Sequence, residues 1–325
     1  SLLSRVKSQG KRVHLPVGLV CNNNCLFCME EDREGRKTRI EMLSDDKIRR
    51  VILLNRDAEE ICFTSGEPTT HPRLALFISW AKQAGYSRIS LMTNGRRLSY
   101  APYTAALVRA GLNRVYISIH GHDAPLHDSL TRSPGSFEQT VSGIRTVVSL
   151  RSVGLRVNTS TVLTQRNVAQ QSAIYELLCA LEVDEAVFNA VQTTGRAKTH
   201  LDRVVPRYSE IRRGFDAMLA SSSDQGARAI LVDVPACITQ GLAEKHRGFV
   251  ENRIHFEALT SEVSGACLGV SDAESSLQKI ASEDLHRAFR LFAPSCSRCS
   301  HRSICPGIGA GYMEKFGSSE FVAIE

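Results

Sequence analysis

The chain has 325 residues, ten of them cysteine, and a formal net charge of +6. This length suits one large α/β domain with a smaller appendage, and the modest positive charge makes nucleic acid an unlikely partner while still suiting an anionic ligand. No apolar run is long enough to cross a membrane and no signal peptide precedes the first strand, so we expect a soluble, cytoplasmic protein whose clustered cysteines bind metal instead of forming disulfides.

Between residue 12 and about residue 205, apolar runs alternate with amphipathic segments, which is typical of a parallel sheet with crossover helices. The predicted strands cover residues 13–20, 60–64, 88–92, 114–119, 156–163 and 186–191, and the predicted helices cover residues 44–54, 72–84, 100–110, 136–152, 168–181 and 206–221. Six strand–helix units predict an α/β fold, a partial and open (β/α)6 barrel over residues 1–226. A small cysteine-rich extension is expected over residues 227–325, with its first apolar run at residues 229–234.

The first predicted strand leads into the run CNNNCLFC, which contains Cys21, Cys25 and Cys28. A 4Fe–4S cluster is normally held by four thiolates, so three close thiolates would leave one iron open to another ligand. The alternatives are a zinc site or three buried thiols. Because α/β folds build their sites at the carboxyl ends of strands, the run stands where a functional site is expected.

A second motif, Ser65-Gly66-Glu67-Pro68, follows the second predicted strand. CxxxCxxC with Phe27 before its third cysteine, together with this SGEP run, resembles the radical S-adenosylmethionine (radical SAM) superfamily, where the second motif reads GGEP. Ser65 replaces the first glycine, a small-for-small change. The resemblance implies that S-adenosylmethionine chelates the open iron of a 4Fe–4S cluster and is cleaved reductively to a 5′-deoxyadenosyl radical, which abstracts hydrogen from a substrate. It also implies an electron donor such as flavodoxin or ferredoxin.

The same resemblance suggests which residues contact S-adenosylmethionine. The backbone of Ser65, Gly66 and Glu67 would bind the methionine amino group, and Phe27 would lie near the adenine unless it is a core phenylalanine.

Further contacts are expected at later strand ends. Ser118, in the run ISIHG, resembles a family serine that contacts the cofactor, and His120 is either a further contact or a hydrogen-bonded strand-end residue. Asn158 is expected to point a polar side chain into the same barrel mouth. Arg132 resembles a basic family position near the cofactor carboxylate, with a solvated loop arginine as the alternative.

The last third of the chain has three cysteines spaced C-x2-C-x5-C, namely Cys296, Cys299 and Cys305. Three thiols within ten residues of polar sequence indicate a metal site, either iron–sulfur or zinc. The spacing resembles the SPASM and twitch extensions of radical SAM enzymes, which hold auxiliary clusters. The fourth ligand is expected to be Cys237, with Cys267 as the substitute.

A full SPASM run would have a further cysteine where this chain has Gly309, so one auxiliary cluster is expected. The leading hypothesis for function is oxidative modification of a ribosomally made peptide, such as thioether or carbon–carbon bond formation. A dehydrogenase or related enzyme acting on a sugar, nucleoside or other small molecule is the alternative. A metal-stabilised binding or scaffold protein is the alternative from a different class.

Overall fold

The fold is that of a computed structural model. It describes residues 12–30, 44–222, 226–242, 245–247, 253–258, 277–281, 289–303, 305 and 307–325.

Seven parallel strands form the centre of the fold, in the chain order β1 to β7. They are β1 (Arg12–Pro16), β2 (Glu60–Thr64), β3 (Arg88–Thr93), β4 (Arg114–Ser118), β5 (Arg156–Leu163), β6 (Glu185–Ala190) and β7 (Arg228–Val232). Short segments extend both edges: β8 (His246–Arg247) pairs with β7, and β9 (Arg253–Ala258) with its antiparallel neighbour β10 (Leu277–Ala281) pairs with β1. No pairing within the described part of the chain joins the two edges, so the sheet is open, as predicted.

Helices connect the parallel strands. They are α1 (Asp45–Leu54), α2 (Leu74–Gln83), α3 (Ala101–Ala110), α4 (Ala124–Thr131), α5 (Ser136–Ser149), α6 (Gln171–Ala180), α7 (Gly195–Thr199), α8 (Leu201–Val204) and α9 (Tyr208–Ser221), with α10 (Ala310–Phe316) near the end of the chain. Ser44 caps α1 as its position suggests, since its side chain accepts a hydrogen bond from the Lys47 N–H. Among these helices none has the length and apolar character that a membrane span requires.

Five predicted boundaries are wrong by two or more residues. Three concern the helices expected over residues 136–152, 168–181 and 206–221, which cover Ser136–Ser149, Gln171–Ala180 and Tyr208–Ser221. The first strand ends at Pro16 instead of residue 20, because the chain turns away there into the cysteine run. The helix expected from residue 72 begins at Leu74, and Pro72 lies in the preceding turn.

The two faces of the sheet differ in polarity. Side chains such as Leu15, Phe63 and Ile117 are fully buried between the sheet and the helices. The register places Thr64, Ser118 and their polar neighbours on the other, concave face, which we call the lumen. Period-2 alternation therefore sends most of the apolar residues to the helices and gives the lumen several polar groups that can bind a ligand.

The sheet crosses the proposed domain boundary at residue 226. β7 lies beyond that residue and pairs in parallel with β6, with Glu185 opposite Arg228. The last strand-like run of the sequence, expected at the start of the extension, is thus a seventh strand of the central sheet. The division into two domains stays a prediction.

Candidate active site

The cysteine run forms a loop over the carboxyl edge of the sheet, and backbone hydrogen bonds fix it on two sides. Next to β2, the Glu67 N–H donates to the Val20 carbonyl at 2.7 Å. Next to α4, the Asn24 N–H donates to the Thr131 carbonyl at 2.9 Å, and the Leu26 N–H donates to the Leu130 carbonyl at 2.9 Å. The loop is therefore held by two separate elements of the barrel.

Cys21, Cys25 and Cys28 are each partly exposed, and no disulfide joins any of the nine cysteines that the structure describes. No three ligating side chains among the described residues converge on the position of one metal ion. A 4Fe–4S cluster makes a different demand, because each thiolate binds its own iron. Three accessible thiols on one fixed loop fit this donor set, so these residues would hold the cluster.

The SGEP turn packs directly under the cysteine loop. A Cβ on Gly66 would lie 2.5 Å from the Val20 carbonyl oxygen, so only glycine allows this approach. Ser65 has a φ of +73°, a conformation that glycine adopts at little cost and serine does not. Its hydroxyl donates to Glu30 at 3.4 Å, just beyond the last cysteine of the loop. The serine thus keeps the backbone shape that glycine would give and adds a contact to the loop.

The Glu67 carboxylate points into the protein, where it is 2 % exposed. One oxygen accepts from the Thr69 N–H and from the hydroxyls of Thr69 and Thr93, and the other accepts from the Asn94 N–H at 2.6 Å. Burial raises its pKa, against the effect of these donors. The carboxylate therefore organises the turns after β2 and β3, and any contact of Glu67 with a cofactor is left to its backbone.

The segment Thr193-Thr194-Gly195-Arg196-Ala197 holds the cysteine loop from a third side. The Arg196 N–H donates to the Cys28 carbonyl at 2.9 Å, and its guanidinium donates to the Asn24 carbonyl and to Asn24 Oδ1. Gly195 allows this contact, since a Cβ there would lie 2.0 Å from the Met29 carbonyl oxygen. No role for this segment was predicted from the sequence. Its glycine–arginine pair was the available signal.

Uncharged polar side chains line the lumen at the carboxyl edge. Ser118 of β4 lies opposite Ser160 of β5, and Asn189 of β6 donates to the Ser160 hydroxyl at 2.9 Å. Ser160 and Asn189 were missed in the sequence, although both fall on the lumen side of the strand alternation.

Asn158 does not lie at this edge, contrary to prediction. It is the third residue of β5 and pairs with Tyr116 and Glu185, about 7 Å below Ser160 along the strand. Arg132 is exposed in a left-handed turn at the end of α4.

Phe27 of the cysteine loop and His120 after β4 are buried together. Their rings meet edge to face with 4.7 Å between centroids. His120 Nδ1 accepts from the Val162 N–H at 3.2 Å, and His127 Nδ1 accepts from the His120 N–H at 3.1 Å. Burial lowers the pKa of His120 well below its usual value and that of His127 to about 4, so both rings are neutral at pH 7. The predicted cofactor contacts of Phe27 and His120 stay predictions.

The cysteines of the tail lie around a pocket, which we call the second pocket to distinguish it from the lumen. It is lined by Cys237, Cys296, Cys299 and Cys305. Burial raises the pKa of Cys237 to about 11, and the neighbouring thiols of Cys305 and Cys296 add to the shift. Burial also raises the pKa of Cys305, with Cys296 and Cys299 adding to it. The structure thus brings together four thiols that are up to 68 residues apart in the sequence. Cys267 lies outside the described residues.

Helix α10 packs the tail against the barrel. Tyr312 is almost completely buried and stacks on Tyr208 at 4.2 Å between centroids. Closer to the lumen mouth, Arg290 lies 3.6 Å from Asp233 at the end of β7, and Gln192 donates to the same carboxylate. The second pocket therefore belongs to the same folded unit as the carboxyl edge of the sheet.

Comparison with known proteins places the chain in a family. The family model described as Radical SAM superfamily matches residues 15–178. Among curated proteins, a probable GTP 3′,8-cyclase of Saccharolobus islandicus is 30 % identical over 181 residues, covering 55 % of this chain and 56 % of that protein. A protein of the same name from Methanopyrus kandleri is 34 % identical over 176 residues, covering 53 % of this chain and 54 % of that protein. The chain thus spans about half the length of the curated relatives it matches.

Solved structures share the fold. SuiB of Streptococcus suis bound to S-adenosylmethionine has a TM-score of 0.60 at 13 % identity, covering 99 % of this chain and 79 % of that one. HydG, a maturase of the [FeFe]-hydrogenase, has a TM-score of 0.52 at 11 % identity, covering 68 % of this chain and 50 % of that one. The matched residues include β2 to β5, the cysteine loop and the SGEP turn described above. The chain therefore belongs to the radical SAM superfamily, whose members are enzymes that use a 4Fe–4S cluster and S-adenosylmethionine.

Proposed function

We propose that this protein cleaves S-adenosylmethionine reductively and uses the product to oxidise a substrate held at the carboxyl edge of the sheet. When bound, the cluster and S-adenosylmethionine supply a 5′-deoxyadenosyl radical that abstracts a hydrogen atom. The observation that carries the proposal is the position of Cys21, Cys25 and Cys28 on a loop held directly over Gly66. The protein's own part is to hold the loop, orient the cofactor along the polar lumen and exclude water.

We further propose that Cys237, Cys296, Cys299 and Cys305 hold one auxiliary cluster. Four thiols around one pocket satisfy the usual ligand number of an iron–sulfur cluster. The raised pKa of Cys237 and Cys305 means that metal binding must displace their protons, so loading is favoured at higher pH. A filled ligand set suits electron transfer, and an electron acceptor near the substrate is what an oxidative reaction needs. Cys267 remains the substitute ligand.

We infer that the substrate is a peptide. The lumen-facing side chains at the carboxyl edge of β2 to β6, as far as the structure describes them, carry no charge. Met92 and Val162 are apolar, and hydroxyl and amide groups come from Thr64, Ser118, Ser160 and Asn189. Such groups match the neutral amides of a peptide. Two arginines near this edge already have acceptors in the protein: Arg196 donates to the cysteine loop, and Arg290 faces Asp233. SuiB has been crystallised with its precursor peptide, and its likeness to this chain covers the fold alone.

A nucleotide substrate is the second candidate, because the curated relatives are named probable GTP 3′,8-cyclases. The net charge of +6 is compatible with a triphosphate. This candidate needs cationic side chains free to bind phosphate at the mouth.

Metal and sulfide counting tests the cofactor proposals on anaerobically reconstituted protein. We expect about eight irons in two 4Fe–4S clusters and formation of 5′-deoxyadenosine with a chemical reductant. Cys25→Ala should retain about four irons and form no 5′-deoxyadenosine, whereas Cys237→Ala should retain about four irons and still form it. Cys179→Ala, which changes a cysteine of α6 outside both loops, serves as the control and should match the wild type. Zinc without sulfide would refute the enzyme proposal.

Substrate class is tested by the rate of 5′-deoxyadenosine formation with added compounds. GTP and a synthetic peptide for each short reading frame found beside the gene are added separately to the reconstituted protein. Stimulation by a peptide, with a mass loss of two hydrogens in that peptide, supports the first candidate. Stimulation by GTP alone refutes it and supports the second.

A further inference from the structure

The three asparagines of the CNNNC run are all engaged by groups from outside the loop. Asn94 Nδ2 donates to Asn22 Oδ1 at 2.6 Å, and Arg96 donates to the Asn22 carbonyl at 2.6 Å and to Asn23 Oδ1 at 2.8 Å. Asn24 accepts from Arg196, as described above. The spacing of Cys21 and Cys25 is therefore maintained by specific side-chain contacts as well as by the loop backbone.

Arg96 contacts two of the three asparagines. It belongs to a 3-10 turn, Arg96–Ser99, directly after β3. Its N–H donates to Asn94 Oδ1 at 3.1 Å, and its Nε donates to Gln139 of α5 at 2.6 Å. The Asn94 N–H in turn donates to the buried Glu67 carboxylate. One hydrogen-bonded chain thus connects the SGEP turn to the cysteine loop through Arg96.

The charge of Arg96 is not matched by the groups it binds. The three acceptors of its side chain are a backbone carbonyl and two side-chain amides, all uncharged. Two of them belong to the residues that directly follow Cys21, and the Asn23 N–H itself donates to Cys21 Sγ at 3.4 Å. The guanidinium therefore places a positive charge within the turn that carries the first cluster thiolate.

We propose that Arg96 is a positioning residue that fixes the cysteine loop and raises the reduction potential of the amino-terminal cluster. This inference rests on the proposed function, since it needs that cluster to be bound. Reduction adds one negative charge at the three-thiolate site, and a nearby cation stabilises the more negative state. Because the site is partly buried, solvent screens this attraction less than at an exposed surface.

Three variants separate charge from shape. Arg96→Gln removes the charge and most of the donors, and Arg96→Lys keeps the charge without the planar fork that binds two acceptors at once. Arg109→Gln, an exposed arginine in α3, makes the same change in net charge away from the loop. The readout is the midpoint potential of the amino-terminal cluster. This cluster is identified as the one whose electron paramagnetic resonance signal, in the reduced state, changes when S-adenosylmethionine is added. That response distinguishes it from an auxiliary cluster.

For Arg96→Gln we expect a more negative midpoint potential, equivalent to about a tenfold lower ratio of reduced to oxidised cluster at a fixed solution potential, which is 59 mV for a one-electron couple. Arg96→Lys should recover most of the shift, and Arg109→Gln should show none. An Arg96→Gln potential equal to that of the wild type, or a shift of equal size in Arg96→Lys, would overturn the proposal. If the wild type has no signal that responds to S-adenosylmethionine, the proposed function fails instead.

Discussion

Gly195 is where α7 touches the cysteine loop, and replacing it by alanine tests whether that contact matters. The added Cβ would lie 2.0 Å from the Met29 carbonyl oxygen, so the gap must widen by 1.4 Å to reach the 3.4 Å of ordinary contact. Such an opening breaks the hydrogen bond from the Arg196 N–H to the Cys28 carbonyl. Overpacking of this kind costs about 1–3 kcal/mol, and the left-handed φ of +52° costs an alanine about 1–2 kcal/mol more.

Part of this loss is recovered in the unfolded state, where alanine has less freedom than glycine by about 0.4–1 kcal/mol. We therefore expect Gly195→Ala to lower the free energy of unfolding by about 3 kcal/mol. The matched control is Gly154→Ala, because Gly154 also has a left-handed φ, +91°, and its added Cβ would meet nothing within 4 Å. The control should lose about 1 kcal/mol.

The assay is urea unfolding of the reconstituted protein under anaerobic conditions, together with the rate of iron loss to a chelator. Gly195→Ala should unfold at lower urea and release the iron of the amino-terminal cluster faster than Gly154→Ala. Equal midpoints and equal release rates for the two variants would refute the argument that the α7 contact holds the loop.

Three further changes test the packing around the site. As the pH falls below 6.5, His127 should lower the free energy of unfolding by about 1.4 kcal/mol per pH unit. The unfolded imidazole gains a proton there, whereas burial keeps the folded one neutral down to a pKa of about 4. His127→Asn should flatten this slope in unfolding curves measured between pH 7 and 5. Tyr312→Ala should cost about 3–5 kcal/mol through loss of a buried ring, whereas Tyr312→Phe should cost about 1 kcal/mol for the hydrogen bond from the Tyr208 N–H, and equal losses would contradict the packing argument. Glu67→Ala leaves four donors without their acceptor and should cost at least about 3 kcal/mol in the same unfolding assay, while a loss below 1 kcal/mol would contradict the role given to its carboxylate.

The sequence predicted those parts of the fold and site that local pattern determines. Strand alternation placed β2 and β5 correctly to the residue, and cysteine spacing together with SGEP identified the family. Alternation assigns a residue to a face of the sheet, whereas its height along the strand follows from the strand bounds. The predicted bounds of β5 already made Asn158 its third residue, near the amino ends, so its expected place at the mouth was wrong, and Ser160, two residues later, was overlooked.

Contacts between segments that are distant in the sequence could not be predicted from such local patterns. Arg196 and Asn24 are separated by 172 residues, and nothing in either segment alone indicates their pairing. The seventh strand was assigned to the extension because a polar, glycine-ended break at residues 221–226 precedes it. Its pairing with β6 depends on α9 returning the chain to the sheet edge.

The dependence of the cysteine loop on Arg196 has a consequence for biosynthesis. Asn24 emerges from the ribosome 172 residues before Arg196, and at about 5–20 residues per second this interval lasts roughly 9 to 34 s. During that time the nascent chain presents three thiols on a loop whose third support has not yet been made. We expect iron delivery to be productive only after β6 and α7 have joined the sheet, which would make cofactor insertion a late step in the maturation of this chain.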